Sequence, residues 1–263
     1  MAMNTARTAI LFLAAAAASW AQLASPGPSG VVMGHVHLFT KDPAAQTRFW
    51  TEVLGATEVK ASETRQLFKI PGVLIVADKG DPTAGTDGSV VNHVAVKVRD
   101  LKDAVAKAVG RDFKPISLNP PQAMIAGPDG VKVEFTEDTS LEQTAVFHHI
   151  HFYTPAVDEM KKWYVETFGA APGKRGRFEA ADLPGVNLTF APAPGAVTPT
   201  KGRALDHIGF EVKNLEAFTK KLEAAGMKFE ISYRQVPSLG IAIAFINDAW
   251  GTRIELTEGL TKF

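Results

Sequence analysis

The chain contains no cysteine in its 263 residues. That excludes disulfides, thiolate nucleophiles and cysteine-held zinc. It also lacks net charge: 28 basic side chains balance 28 acidic ones. An even balance leaves no electrostatic footprint for nucleic acid or for an anionic membrane surface. Long apolar runs are missing everywhere beyond the N-terminus, so no membrane span is expected in the mature chain.

The one uncharged apolar run is I-L-F-L-A-A-A-A-A-S-W at 10–20, behind a short segment whose only cation is Arg7. It is too short to span a bilayer. With the small residues Ser19 and Ala21 at its exit, residues 1–21 read as a signal peptide, and the mature chain is expected in the periplasm or outside the cell. A buried N-terminal helix is the competing reading, and it accounts less well for the small-residue exit. Residues 22–31 read as a flexible leader rich in Pro, Gly and Ser.

The rest of the chain repeats itself. G-H-V-H-L-F-T at 34–40 matches H-H-I-H-F-Y-T at 148–154, and N-H-V-A-V-K-V at 92–98 matches D-H-I-G-F-E-V at 206–212, both at an offset of 114. G-V-K-V-E-F-T-E at 130–137 matches G-T-R-I-E-L-T-E at 251–258 at an offset of 121, so about seven residues are inserted near 232–243. Two homologous units result, 32–138 and 146–259, joined by the polar segment 138–144.

Each unit is itself double, because His35 to His93 and His149 to His207 are both 58 residues apart. Each quarter opens with an alternating strand. The first continues into a helix with Asp42 as N-cap, Pro43 as first helical residue and Gly55 as stop; the third does so with Thr154, Pro155 and Gly169. Residues 101–109 and 215–224 carry helical spacing, and short β-type runs come after them. The quarter is therefore strand–helix–strand–strand–strand. An α+β fold is predicted, with four βαβββ modules in tandem, two quarters pairing into one curved mixed sheet and two such sheets in all; closure within each unit and pairing between the units are both left open.

Strand alternation puts His35 with His37 on one face, and His149 with His151 on one face, with His148 pointing oppositely. The offset carries His35 to His149, His37 to His151, His93 to His207 and, later, Glu134 to Glu255. Two imidazoles and one carboxylate in a concave sheet suit a divalent metal and leave positions open. Half-buried histidines held by hydrogen bonds are the plainer alternative for any one of them, but three positions recurring in both units, six residues in all, favour a metal.

With these residues in view, the chain resembles the vicinal oxygen chelate superfamily, which includes glyoxalase I, bleomycin and fosfomycin resistance proteins, methylmalonyl-CoA epimerase and type I extradiol dioxygenases. The resemblance rests on H-V-H-L-F-T-K-D, F-W-T-E-V-L-G-A at 49–56, N-H-V-A-V-K-V and G-P-D-G-V-K-V-E at 127–134, with their second-unit counterparts. It implies two domains of the glyoxalase/bleomycin-resistance/dioxygenase type. It implies metal ligands His35, His93 and Glu134 in one unit and His149, His207 and Glu255 in the other. The metal would be Fe, Mn, Ni, Co or Zn, chelated by vicinal oxygens of a small-molecule substrate.

Departures from the family narrow the activity. The position of the further glutamate of glyoxalase I reads Leu74 in the first unit and Asn187 in the second, and the tyrosine of extradiol dioxygenases reads Met124 or Phe245. His37 and His151 are candidates for proton transfer or for plain support of the ligands. Lys132 and Arg253, two residues before each Glu, would bind a substrate anion or pair with the carboxylate. A metal-dependent lyase, isomerase or oxygenase is expected, with a non-catalytic, antibiotic-sequestering protein as the alternative and a homodimer left open. If only one unit works, the second is favoured for its polar Asn187 and its insertion.

Overall fold

The computed structural model describes residues 23–59 and 62–263. The signal-peptide segment lies outside the described residues. The first quarter consists of β1 (Val31–Thr40), α1 (Pro43–Thr47), β2 (Thr57–Val59), β3 (Arg65–Ile70) and β4 (Val73–Lys79). The second consists of β5 (Val91–Val98), α2 (Leu101–Val109), β6 (Pro115–Asn119), β7 (Gln122–Ala126) and β8 (Lys132–Glu137). In the third, β9 (Ala145–Thr154) leads through α3 (Val157–Phe168) to β10 (Ala171–Arg175), β11 (Phe178–Leu183) and β12 (Val186–Pro192). The fourth holds β13 (Leu205–Val212), α4 (Leu215–Ala224), β14 (Phe229–Val236), β15 (Ile241–Asn247) and β16 (Arg253–Glu258). The expected βαβββ unit is present four times.

Local chemistry sets the helix ends. Asp42 accepts from the Ala45 N–H at 3.1 Å with Pro43 next to it, as the sequence predicts. The helix does not run on regularly to Leu54: residues Arg48–Val53 widen into a π-helical turn that points Phe49, Trp50 and Val53 inward. In the third quarter the helix starts two residues later than predicted. Thr154 accepts from the Ala156 N–H at 3.1 Å in a turn of its own, so Pro155 precedes the helix instead of opening it. Gly169 ends it with φ of 69°.

The quarters pair in an order that the sequence repeat does not anticipate. One eight-stranded sheet runs β14-β15-β16-β13-β1-β4-β3-β2, and the other β10-β11-β12-β9-β5-β8-β7-β6. The first quarter thus pairs with the fourth and the second with the third, each through an antiparallel central pair, β1 with β13 and β5 with β9. Consecutive quarters are joined by packing instead. Phe49 of the first quarter lies against Phe113 and Phe135 of the second, and Phe168 of the third lies against Phe210 and Phe218 of the fourth. All of this sits on the sheet faces opposite the histidines, where Val36, Ile150, Ile208 and Val94 are fully buried in one core.

Both central pairs carry two β-bulges. Gly34 and Asp206 are the extra residues between β1 and β13; His148 and Asn92 are the extra residues between β9 and β5. A bulge breaks strict alternation and re-aims side chains. All four bulges flank histidines.

Candidate metal centre

Pairing across the first sheet places Leu74, His35, Gly209, Glu255 and Phe245 in one transverse row. His207 sits two residues before Gly209 on the same face, directly opposite His37. Strands lie about 4.8 Å apart, so His35 and Glu255 can meet only across the strand between them. Gly209 makes that possible. A Cβ there would come within 2.0 Å of His35 Cε1 and 2.1 Å of its Nδ1. With no side chain in the way, His35 Nε2 reaches Glu255 Oε2 at 3.0 Å, and His207 Nε2 reaches the same oxygen at 3.0 Å. One donor atom each from His35, His37, His207 and Glu255 lies within 4.8 Å of the others.

The bulge at Asp206 completes the arrangement. Its Oδ1 lies 2.6 Å from His207 Nδ1, and a carboxylate only accepts, so Nδ1 carries the proton and Nε2 faces the centre. Asp206 is itself held by Arg253 at 2.8 Å and the Gly202 N–H at 2.6 Å. Burial opposes the charge of Glu255, but the hydrogen bonds of His207 and His35 outweigh it and hold the carboxyl well below its usual range. Burial likewise opposes protonation of His207, and Asp206 and Glu255 override it. Two imidazole nitrogens converging on one carboxylate oxygen share a proton or a metal ion with it, and two nitrogens with one carboxylate are a donor set that fits a divalent metal. Asp206→Asn is expected to keep the fold, since Asn92 stands at the equivalent place, and to weaken divalent-metal affinity by about 10–100-fold, read by calorimetric titration.

Above this centre opens a cavity of about 410 Å³. Its walls are mostly apolar, with Leu67, Leu74 and Val76 from the first quarter and Ile231, Ile243 and Phe245 from the fourth. The inserted residues lengthen the β14–β15 hairpin and bring Arg234, Val236 and Leu239 to its rim. His37 lines it too, donating Nε2–H to Asp78 at 3.2 Å. Asp78 is gripped by Arg65 at 2.6 Å through both oxygens. Burial, then the neighbouring His207, lowers His37 to about 4, so the ring is neutral at ordinary pH.

The second sheet repeats the row as Asn187, His149, Ala95, Glu134 and Met124. Here Ala95 carries the Cβ that Gly209 lacks. His149 Nε2 is 3.9 Å from Glu134 Oε1 and His93 Nε2 is 3.4 Å from Oε2, looser than in the first centre. Asn92 replaces Asp206 behind His93, at 2.9 Å. His93, His149 and His151 converge within 4.8 Å. A guanidinium also enters: Arg175 Nη2 is 3.0 Å from His149 Nε2. Burial is the largest cause of low basicity here, joined by Arg175 for His149 and by His93 and Arg175 for His151, which falls to about 3.

The profile of the Glyoxalase/Bleomycin resistance protein/Dioxygenase superfamily matches residues 32–135 and 146–256. The chain belongs to this superfamily. No curated protein sequence matches the chain significantly. Among solved structures, glyoxalase I from Zea mays aligns with a TM-score of 0.68 at 14% identity, over 88% of this chain and 94% of that one. A Bacillus subtilis protein proposed to be a dioxygenase aligns at 0.67 and 13% identity, over 90% of this chain and 86% of that one. At such identities the likeness is one of fold.

Within the glyoxalase/dioxygenase fold, the six predicted ligands do approach one another, but in other groups than the sequence repeat implies. His35 joins His207 and Glu255, and His93 and Glu134 join His149. Because the first quarter pairs with the fourth, each centre draws on both units, and neither unit holds a centre of its own. The two features that favour the second unit are divided accordingly: the insertion borders the first centre, and Asn187 belongs to the second. His148, expected to point away, is a bulge residue whose Nδ1 lies 3.1 Å from that of His149. Arg253 pairs with Asp206 and Glu230 at 2.8 and 2.9 Å, and Lys132 with Asp87 at 2.5 Å, so each forms ion pairs, but with carboxylates other than the glutamate two residues on. Asp206, Gly209 and Arg175 escape sequence reasoning. Only Asp206 leaves a trace there, as an acidic neighbour of a candidate ligand.

Proposed function

We propose that the chain is a metal-dependent enzyme working at the first centre, with His35, His207 and Glu255 as ligands of one divalent ion of Fe, Mn, Ni, Co or Zn. The supporting observation is the convergence of both Nε2 atoms on Glu255 Oε2, each at 3.0 Å, beside a cavity of about 410 Å³. Such an ion, with three protein ligands and open positions, would act as a Lewis acid on a small molecule bearing vicinal oxygens. The apolar walls favour a substrate with a hydrophobic body. Arg234 has no ion-pair partner among the described residues and is placed at the rim to meet an anionic substituent.

Leu74 opposite His35 can neither ligate nor take a proton, and Phe245 stands beside Glu255 on the other flank. His37 is therefore the group positioned for proton transfer: Asp78 fixes its Nε2–H and leaves Nδ1 as the acceptor. His37→Gln is expected to retain the metal while turnover falls by about 10²–10⁴-fold, in steady-state assays against the identified substrate. His151, its counterpart, faces the second centre.

The reading is tested by metal analysis of purified protein, then an activity screen with the identified metal, run aerobically and anaerobically. Stoichiometric metal and a metal-dependent turnover support it, and oxygen dependence separates an oxygenase from a lyase or isomerase. A metal-free protein that still binds small molecules would replace it by the sequestering reading. The N-terminal 21 residues further suggest export; sequencing the mature N-terminus checks this. No described helix is long and apolar enough to cross a membrane. Each sheet is completed within one chain, so a second copy is not required to build either centre.

A further inference from the structure

We infer that Arg175 closes the second centre: its guanidinium is the resident cation of the His93–His149–Glu134 group, so the chain takes one divalent ion and not two. This rests on the proposed metal at the first centre.

Arg175 ends β10, at the edge of the second sheet, with two strands between it and the strand of His149 in the order β10-β11-β12-β9. The curl of the sheet brings this edge over its own concave face. An arginine N–H can only donate, so Nη2 at 3.0 Å consumes the Nε2 lone pair of His149, the pair a metal would use. His149 then carries its proton on Nδ1 and gives it to His148 Nδ1 at 3.1 Å, so both of its nitrogens are engaged. The same Nη2 lies 3.5 Å from His151 Nδ1.

The arginine is held in place by a dedicated chain. Its Nε donates to Thr189 Oγ1 at 2.8 Å; that hydroxyl donates to Asn187 Oδ1 at 2.6 Å; the Asn187 amide donates to Asp182 at 2.7 Å. Thr189 is fully buried. Asn187, standing where the first centre has Leu74, therefore supports the arginine and does not supply a ligand. Glu134, whose carboxyl accepts from Gln122 and Thr136 at 3.0 Å each, faces the guanidinium charge. Among the described residues no arginine bonds a histidine of the first centre: Arg65 is bound to Asp78 and Arg253 to Asp206 and Glu230. A fixed positive charge beside the donor set repels a dication and fills its place.

The test is the number of ions bound by the full chain, stripped with chelator, loaded with Mn²⁺, dialysed and measured by elemental analysis, for the wild type, Arg175→Met and Arg175→Met with His149→Ala. One ion in the wild type, two in Arg175→Met and one again in the double variant are expected. Two ions in the wild type overturn the inference without any variant, as does a folded Arg175→Met that still holds one; that result would assign the closure to Ala95. No ion in the wild type but one in Arg175→Met would uphold the closure while refuting the first centre. None in either refutes both. Should Arg175→Met not fold, Arg175→Gln, which keeps polar contact with Thr189 but loses the charge, is judged by the same counts.

Discussion

Replacing His207 with alanine is expected to empty the first centre of metal and reduce turnover to background. His207 is the residue on which the site turns. It faces Glu255 at 3.0 Å through Nε2, is locked by Asp206 at 2.6 Å through Nδ1, and stands opposite His37 across the central strand pair. Loss of a direct ligand should cost more than the roughly 10–100-fold in affinity that loss of an outer hydrogen-bond partner costs. The folded state should also weaken. Asp206 and Glu255 are both buried, and each would lose a hydrogen-bond partner, at about 1–3 kcal/mol for a group left unsatisfied. Arg253 and His35 remain to hold them, so the chain should still fold. Elemental analysis, turnover and thermal unfolding of one preparation read all three effects. A variant that keeps its full metal content would remove His207 from the ligand set.

Gly209→Ala is expected to have nearly as large an effect, although glycine offers no ligand. The added methyl would meet the His35 ring at 2.0–2.6 Å, far inside contact distance. Cβ is fixed to the backbone, so the ring must turn away. His35 would then no longer reach across β13 to Glu255. Overpacking costs about 1–3 kcal/mol in stability. The metal site should be lost outright, as in His35→Ala. Metal titration and chemical denaturation separate the two effects, and a Gly209→Ala chain with unchanged metal affinity would show that His35 does not need this space.

The βαβββ unit is legible in the sequence because its determinants are local. Alternation in β1, β5, β9 and β13, the Asp42 cap and the Gly169 stop each act within a few residues. Which quarter pairs with which is not legible. β5 and β13 present an inward histidine and outward apolar residues at the same positions, so either could accept β1 on pattern alone. The six candidate positions recur at fixed spacing in the sequence, while their division into two centres does not show there. The bulges that aim Asp206 and Asn92 at the histidines depend on the register of the partner strand. Gly209 gains meaning only once His35 and Glu255 are known to flank it. Arg175 enters from a sheet edge brought near by curvature, which no local pattern encodes.

The pairing of the first quarter with the fourth is tested most directly by comparing metal content in His35→Ala, His207→Ala and His93→Ala, each measured on purified, folded protein loaded with the same divalent ion. His35→Ala and His207→Ala should lose the ion alike, although the two residues lie in different sequence units, and His93→Ala should keep it. Loss of the ion in His35→Ala and His93→Ala together, with His207→Ala unaffected, would contradict the shared centre and restore one centre to each unit.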